Sequence, residues 1–156
     1  MGAHTGPVDD LAAPAAALAD AVEAAVPAWV ERSVDRIFRA WSGPPPPALV
    51  AEAHAAGLDA AAEVGRRLRA LLGTDIDDQR TTPLAIVRAA AAFPTRVLAA
   101  AGVPPVRRDA RDEAMFPDDA YDLGPARFTD LDPQLNDLAI TWGAAKAWAH
   151  KRRHGG

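Results

Sequence analysis

Cysteine is absent from this 156-residue chain, which excludes disulfides, thiolate chemistry and cysteine-held metals. Lysine is nearly absent, with 2 Lys against 15 Arg, and the acids are 16 Asp against 5 Glu. Serine stands only at Ser33 and Ser42, and nothing resembles a nucleophile elbow, a phosphate loop or a dinucleotide fingerprint. No apolar run approaches the roughly 18 residues that a membrane helix needs. A secretory leader is not expected, because Asp9 and Asp10 precede the first basic residue, Arg32. The formal charge of −4 gives no overall field toward nucleic acid or an anionic membrane. These absences point to a soluble, cytoplasmic, single-domain protein.

Bulky apolar residues are scarce too. Val, Ile, Leu, Met, Phe, Trp and Tyr together number 39, while Ala alone supplies 38 residues. Ala is the strongest helix former and a poor strand former, so the expected fold class is all-α. A core so lean must gain its density from backbones packed closely over Ala and Gly. The Arg, Asp, Ala and Pro bias also suggests a GC-rich genome.

Periodicity and punctuation predict about four helices. From Asp10 to Trp41 a stripe runs through Leu11, Leu18, Val22, Val26, Val30, Val34, Ile37, Phe38 and Trp41 at spacings mostly of three and four. It keeps its phase across Pro27, which predicts a kinked helix and not two helices. Ser42-Gly43 and Pro44 to Pro47 form a stiff spacer over 42–47. A second helix is expected from Pro47 to Leu72, stopped by Gly73, with a stripe of Val50, His54, Gly57, Ala61, Val64, Leu68 and Leu71. Thr82-Pro83 and Asp132-Pro133 each read as an N-cap before a first-turn proline. The helix from Thr82 should kink near Pro94 and stop at Gly102. The last helix carries Leu135, Leu138, Trp142, Ala145 and Ala149 on one face. Residues 1–8 and 153–156 read as frayed ends.

Between the last two helices, 103–132 lacks a period but holds Val103, Val106, Met115, Phe116, Tyr121, Leu123, Phe128 and Leu131. A disordered linker would not carry so many bulky side chains. The segment is expected to form an ordered, proline-rich strap, with a turn or two of helix around Arg107 to Met115.

Several motifs invite chemistry. Asp118-Asp119-Ala120-Tyr121-Asp122 resembles the DDxxD spacing of helical prenyl-diphosphate enzymes, where carboxylates one turn apart hold Mg²⁺. The flanking Pro117 and Gly124-Pro125 favour a turn instead. Asp75-Ile76-Asp77-Asp78 resembles a DxDD acid motif and suits loop and capping chemistry. His150 and His154 have the i,i+4 spacing of a metal pair, but no third ligand is evident and Lys151, Arg152 and Arg153 repel a cation. His54 reads as a core or edge histidine. The clusters Arg66-Arg67-Arg69, Arg107-Arg108-Arg111 and Lys151-Arg152-Arg153 suit ion pairs with nearby acids such as Glu63, Asp109 and Asp112.

Four stretches, 75–84, 102–109, 116–123 and Trp142 to Ala147, resemble a widespread family of small actinobacterial helical proteins. That resemblance covers the second half of the chain and implies no activity, cofactor or catalytic residue. The residues themselves favour a non-enzymatic interaction or regulatory protein that binds another protein, or itself, through the 75–130 region. The candidate contacts are Arg80, Arg107, Arg108, Asp109, Phe116, Asp118, Asp119, Tyr121 and Asp122, with no catalytic residue, metal or cofactor. An alternative is a Mg²⁺-dependent enzyme on a phosphorylated small molecule, using Asp118, Asp119 and Asp122 with Arg107 or Arg108. Nucleic-acid binding through the Arg clusters is a weaker one.

Overall fold

A computed structural model describes residues 7–155, with side chains from 11 onward. Among them are helices α1 (Pro7–Ser42), α2 (Pro47–Leu72), α3 (Pro83–Ala89), α4 (Ala92–Ala100), α5 (Ala110–Met115) and α6 (Leu135–His154). Short 3₁₀ turns stand at Ile76–Asp78 and Phe128–Asp130, and the described residues form no strand. The all-α expectation holds.

α1 passes through Pro14 and Pro27 without a break, and its stripe becomes the axis of the core. Leu18, Val22, Val26, Val30 and Val34 are fully buried, and Trp29 and Ser33 widen that face. The stripe ends at Phe38, because Trp41 is exposed and meets the Phe38 ring edge-on at 5.6 Å. Gly43 (φ +96°) and the prolines after it reverse the chain into α2. The contacts Glu31 to His54, Pro27 to Gly57 and Asp20 to Arg69 run in opposite directions along the two helices, so α1 and α2 form an antiparallel hairpin.

Gly57 sets their separation. A Cβ there would lie 3.0 Å from both the Cα and the carbonyl oxygen of Pro27, so the two backbones touch. Farther along, a Cβ at Gly65 would collide with the Glu23 carboxylate and the Arg69 guanidinium. The missing side chain therefore houses an ion pair in which Arg69 Nη2 lies 3.0 Å from Glu23 and 2.7 Å from Asp20. The buried face of α2 starts with Leu49 and Ala53, leaving Val50 and His54 exposed. From Gly57 a stripe can step back by three or by four, and the steps of four are the ones that face α1. His54 is an edge residue 3.5 Å from Glu31 and not a core one.

The third expected helix is two. Pro94 has no N–H for the Ala90 carbonyl, and its ring crowds that oxygen, so the helix turns over at Ala90–Ala91. The Ala90 carbonyl takes the Phe93 N–H at 3.0 Å instead. Thr82 caps α3 as expected, its hydroxyl accepting the Ala85 N–H at 3.2 Å. Gly102 (φ +85°) lets the Val103 N–H reach back to the Leu98 carbonyl and close α4. Asp132 caps a turn just before α6, accepting the Gln134 N–H at 2.9 Å, and α6 itself starts two residues later than Pro133.

Hydropathy departs from the expected lack of long apolar segments. By length and mean hydropathy (1.3 each), 11–42 and 83–100 could both cross a membrane. Alanine raises that mean without adding bulk, and the bulky residues of both segments sit largely inside the bundle. The second segment is also the broken pair α3 and α4.

The strap is ordered. α5 forms within it, the Val106 N–H binds the Ala120 carbonyl at 3.0 Å, and Arg32 of α1 holds the Leu131 carbonyl at 2.8 Å. Tyr121 is buried and donates its hydroxyl to the Val103 carbonyl at 2.6 Å, closing the strap on itself. Residues 1–6 and 156, where fraying is also expected, lie outside the described residues. At the other end Arg153 and His154 continue α6 and are ion-paired.

Two outcomes follow. Gly57→Val should lower unfolding stability by about 2 kcal/mol or more in urea titration, as overpacking against backbone does. Burial raises the pKa of Tyr121, the chain's one tyrosine, above its ordinary 10.0. A phenol with a raised folded value contributes stability below its unfolded pKa and loses it as pH rises through the folded one. Tyrosinate absorbance should therefore appear above pH 10 and coincide with loss of helical circular dichroism.

Candidate functional site

The residues singled out between 75 and 130 divide into those that hold the segment in shape and those that face solvent. Asp119 is buried, and its two oxygens accept the N–H groups of Leu123 at 2.6 Å and Gly124 at 2.7 Å. Asp109 caps α5 by accepting the Asp112 N–H at 2.8 Å. Arg108 donates to the Phe116 carbonyl at 2.7 Å, and the Arg88 guanidinium of α3 lies 3.8 Å above the Phe116 ring. Tyr121 is spent on Val103. Arg80, Arg107, Asp118 and Asp122 point outward, and among the described residues their side chains make no hydrogen bond or ion pair.

Asp118, Asp119 and Asp122 do not converge as a Mg²⁺ site requires. The 116–122 segment is a set of turns, with Asp122 in the left-handed region (φ +56°), so the i and i+4 carboxylates lack a shared helix face. The basic clusters meet acids other than their sequence neighbours. Arg69 pairs with Asp20 and Glu23, and Arg153 with Asp75 and Asp77, while Arg108 binds backbone carbonyls. Arg69 and Arg153 both rim an open groove of about 450 Å³ between the start of α1 and the end of α2. Their charges there are already matched.

The sequence reading misses two features of α6. The first is its double apolar character. Leu135, Trp142 and Ala149 are buried, yet Ile140 and Trp148 are 61% and 58% exposed on the opposite side. With Ala144 between them, they make an outer stripe at i, i+4 and i+8 that leads to the exposed Lys151. Ile140 also forms one wall of an open groove of about 440 Å³ against Leu84 of α3 and Phe128 of the strap.

The second is a cluster at its C-terminal end. Asp75 accepts the Asp77 N–H at 3.2 Å and so shapes the 3₁₀ turn. Gln79 ties that loop to α6 by accepting from Lys146 at 2.8 Å. Asp77 thereby meets His154 (Nε2 to Oδ1, 2.8 Å), His150 (Nδ1 to Oδ1, 3.9 Å) and Arg153 (Nη1 to Oδ2, 3.0 Å). His154 and then Arg153 hold the Asp77 carboxyl below its ordinary value, so it is ionised near neutrality. The third partner that the His pair lacks in sequence comes from this distant loop.

Fold and surface together define an all-α bundle with a two-faced last helix. No protein family, curated protein or solved structure matches the chain.

Because both Asp119 oxygens face N–H donors, Asp119→Asn turns an amide NH₂ toward one of them. That change should cost about 2 kcal/mol. Limited proteolysis should then cut within 116–125, where the wild-type chain resists.

Proposed function

We propose that this chain is a helical interaction protein that docks another protein on the outer face of α6. The observation that carries the reading is the exposed pair Ile140 and Trp148 on a helix whose opposite face is already buried in the bundle. A helix serving only the core would be polar on its outside. Aromatic anchors beside a groove are what partner helices engage.

The occupant we infer is an amphipathic helix with an acidic flank. The groove beside Phe128 accepts one apolar anchor, and the stripe along Ala144 to Trp148 accepts further anchors one and two turns on. Lys151 follows the stripe directly and favours carboxylates at that end. The docking we propose lies beside the strap and not on its aspartates, since Asp119 and Tyr121 hold the strap in shape. A chain acting this way needs no cofactor and would work as a soluble cytoplasmic protein.

A photo-cross-linking residue at position 148, introduced in the native cells, should capture one heterologous protein. The same residue at position 58, where Leu58 is 53% exposed on α2, should not capture it. Ile140→Asp with Trp148→Asp should weaken that capture about tenfold or more, with stability within roughly 0.5 kcal/mol of wild type. Identical capture at both positions, or capture of a second copy only, would contradict the reading.

A further inference from the structure

We propose that Asp77, His150 and His154 form a binding site for a divalent transition-metal ion of the zinc class. The cluster lies on the side and end of α6 away from the docking stripe and is independent of it. His150 and His154 stand one helical turn apart with ring centroids 4.6 Å from each other. Asp77 is brought to them by a loop 77 residues away in sequence from His154. One donor atom from each of the three residues lies within 4.8 Å of the other two.

The dimensions suit a single ion. Zinc bonds of about 2.0–2.1 Å in tetrahedral geometry set donor atoms roughly 3.3 Å apart. Here Asp77 Oδ1 lies 2.8 Å from His154 and 3.9 Å from His150, two distances that bracket that spacing. Side-chain rotation suffices to close it, since both imidazoles are exposed. A bound ion would take the place of the present contact between Asp77 and His154.

The groups that hold Asp77 favour a metal site over a plain ion pair. Arg153 sits on the other oxygen of Asp77, where it orients the carboxylate and leaves Oδ1 for the ion. Its own positive charge is matched by Asp75, whose oxygens lie 2.7 and 2.8 Å away. The two aspartates and Arg153 sum to one net negative charge, which Lys151 on the same helical turn offsets. This second layer of support is what holds metal-binding side chains in place. Two imidazoles with one carboxylate favour Zn²⁺ and its neighbours over Mg²⁺ or Ca²⁺, which take oxygen donors. With three protein donors and solvent on the open side, water would complete the coordination shell. The ion would also fasten the end of α6 to the loop after α2.

The test uses the full-length, untagged chain and Zn²⁺ alone, in calorimetric titration and in thermal melts, with Co²⁺ absorption as the spectroscopic readout. We expect one ion per chain, a higher melting midpoint with Zn²⁺, and the visible bands of nitrogen- and oxygen-bound Co²⁺. His150→Ala loses no short hydrogen bond, so it should fold as wild type while binding Zn²⁺ at least about tenfold more weakly. Asp77→Asn should also weaken Zn²⁺ binding about tenfold or more, and His54→Ala should bind as wild type. Absence of binding heat with no Co²⁺ bands overturns the proposal. So does undiminished binding by His150→Ala.

Discussion

The structure depends on how closely α1 and α2 approach each other at Pro27 and Gly57. The bulky apolar residues are too few to build a wide core, so the bundle has to be narrow. A glycine placed against the backbone of α1 makes it narrow, and the absent side chain of Gly65 then admits the Glu23–Arg69 pair where an apolar contact would otherwise stand. On the α1 side it is the Cα and carbonyl oxygen of Pro27 that face Gly57. Because the hairpin is set by backbone contact and not by large knobs, small residues suffice elsewhere. The remaining helices are laid against a pair whose spacing is already determined.

The later half of the chain rests on that hairpin through few but varied contacts. Arg32 reaches from α1 to the end of the strap, Arg88 stacks on Phe116, and Asp119 gathers two backbone N–H groups. These polar devices let a proline-rich segment keep one shape without a helix of its own. α6 then closes the core with one face and turns Ile140 and Trp148 outward, while its last turn grips the loop after α2.

How much of this was legible in sequence differs by kind of signal. The bounds of α2 follow directly from Pro47 and Gly73, and α3 from Thr82-Pro83, since local punctuation determines them. Bulky residues in 103–132 foretell an ordered strap. The register at the start of α2 was not legible, because Val50 with His54 and Leu49 with Ala53 both fit helical spacing back from Gly57. The break at Ala90–Ala91 follows from the carbonyl that Pro94 abandons, four residues before the proline itself. The meeting of Asp77 with His150 and His154 had no local signal, being decided by how α6 packs on α1. The same is true of the Arg pairs, whose acids are 46 to 78 residues distant. The outer stripe of α6 was not picked out, because periodicity alone assigns one face to a core and says nothing of the other.

If the α1–α2 hairpin is the foundation, it must also be the last part to open. Native-state amide hydrogen exchange measures this directly, residue by residue. Exchange should be slowest in α1 between Val22 and Val34 and in α2 between Ala60 and Leu68. The strap and α6 should open at lower free energy while that pair stays closed. Protection in α6 or the strap equal to that of the hairpin, or early exchange around Pro27 and Gly57, would contradict this order of opening.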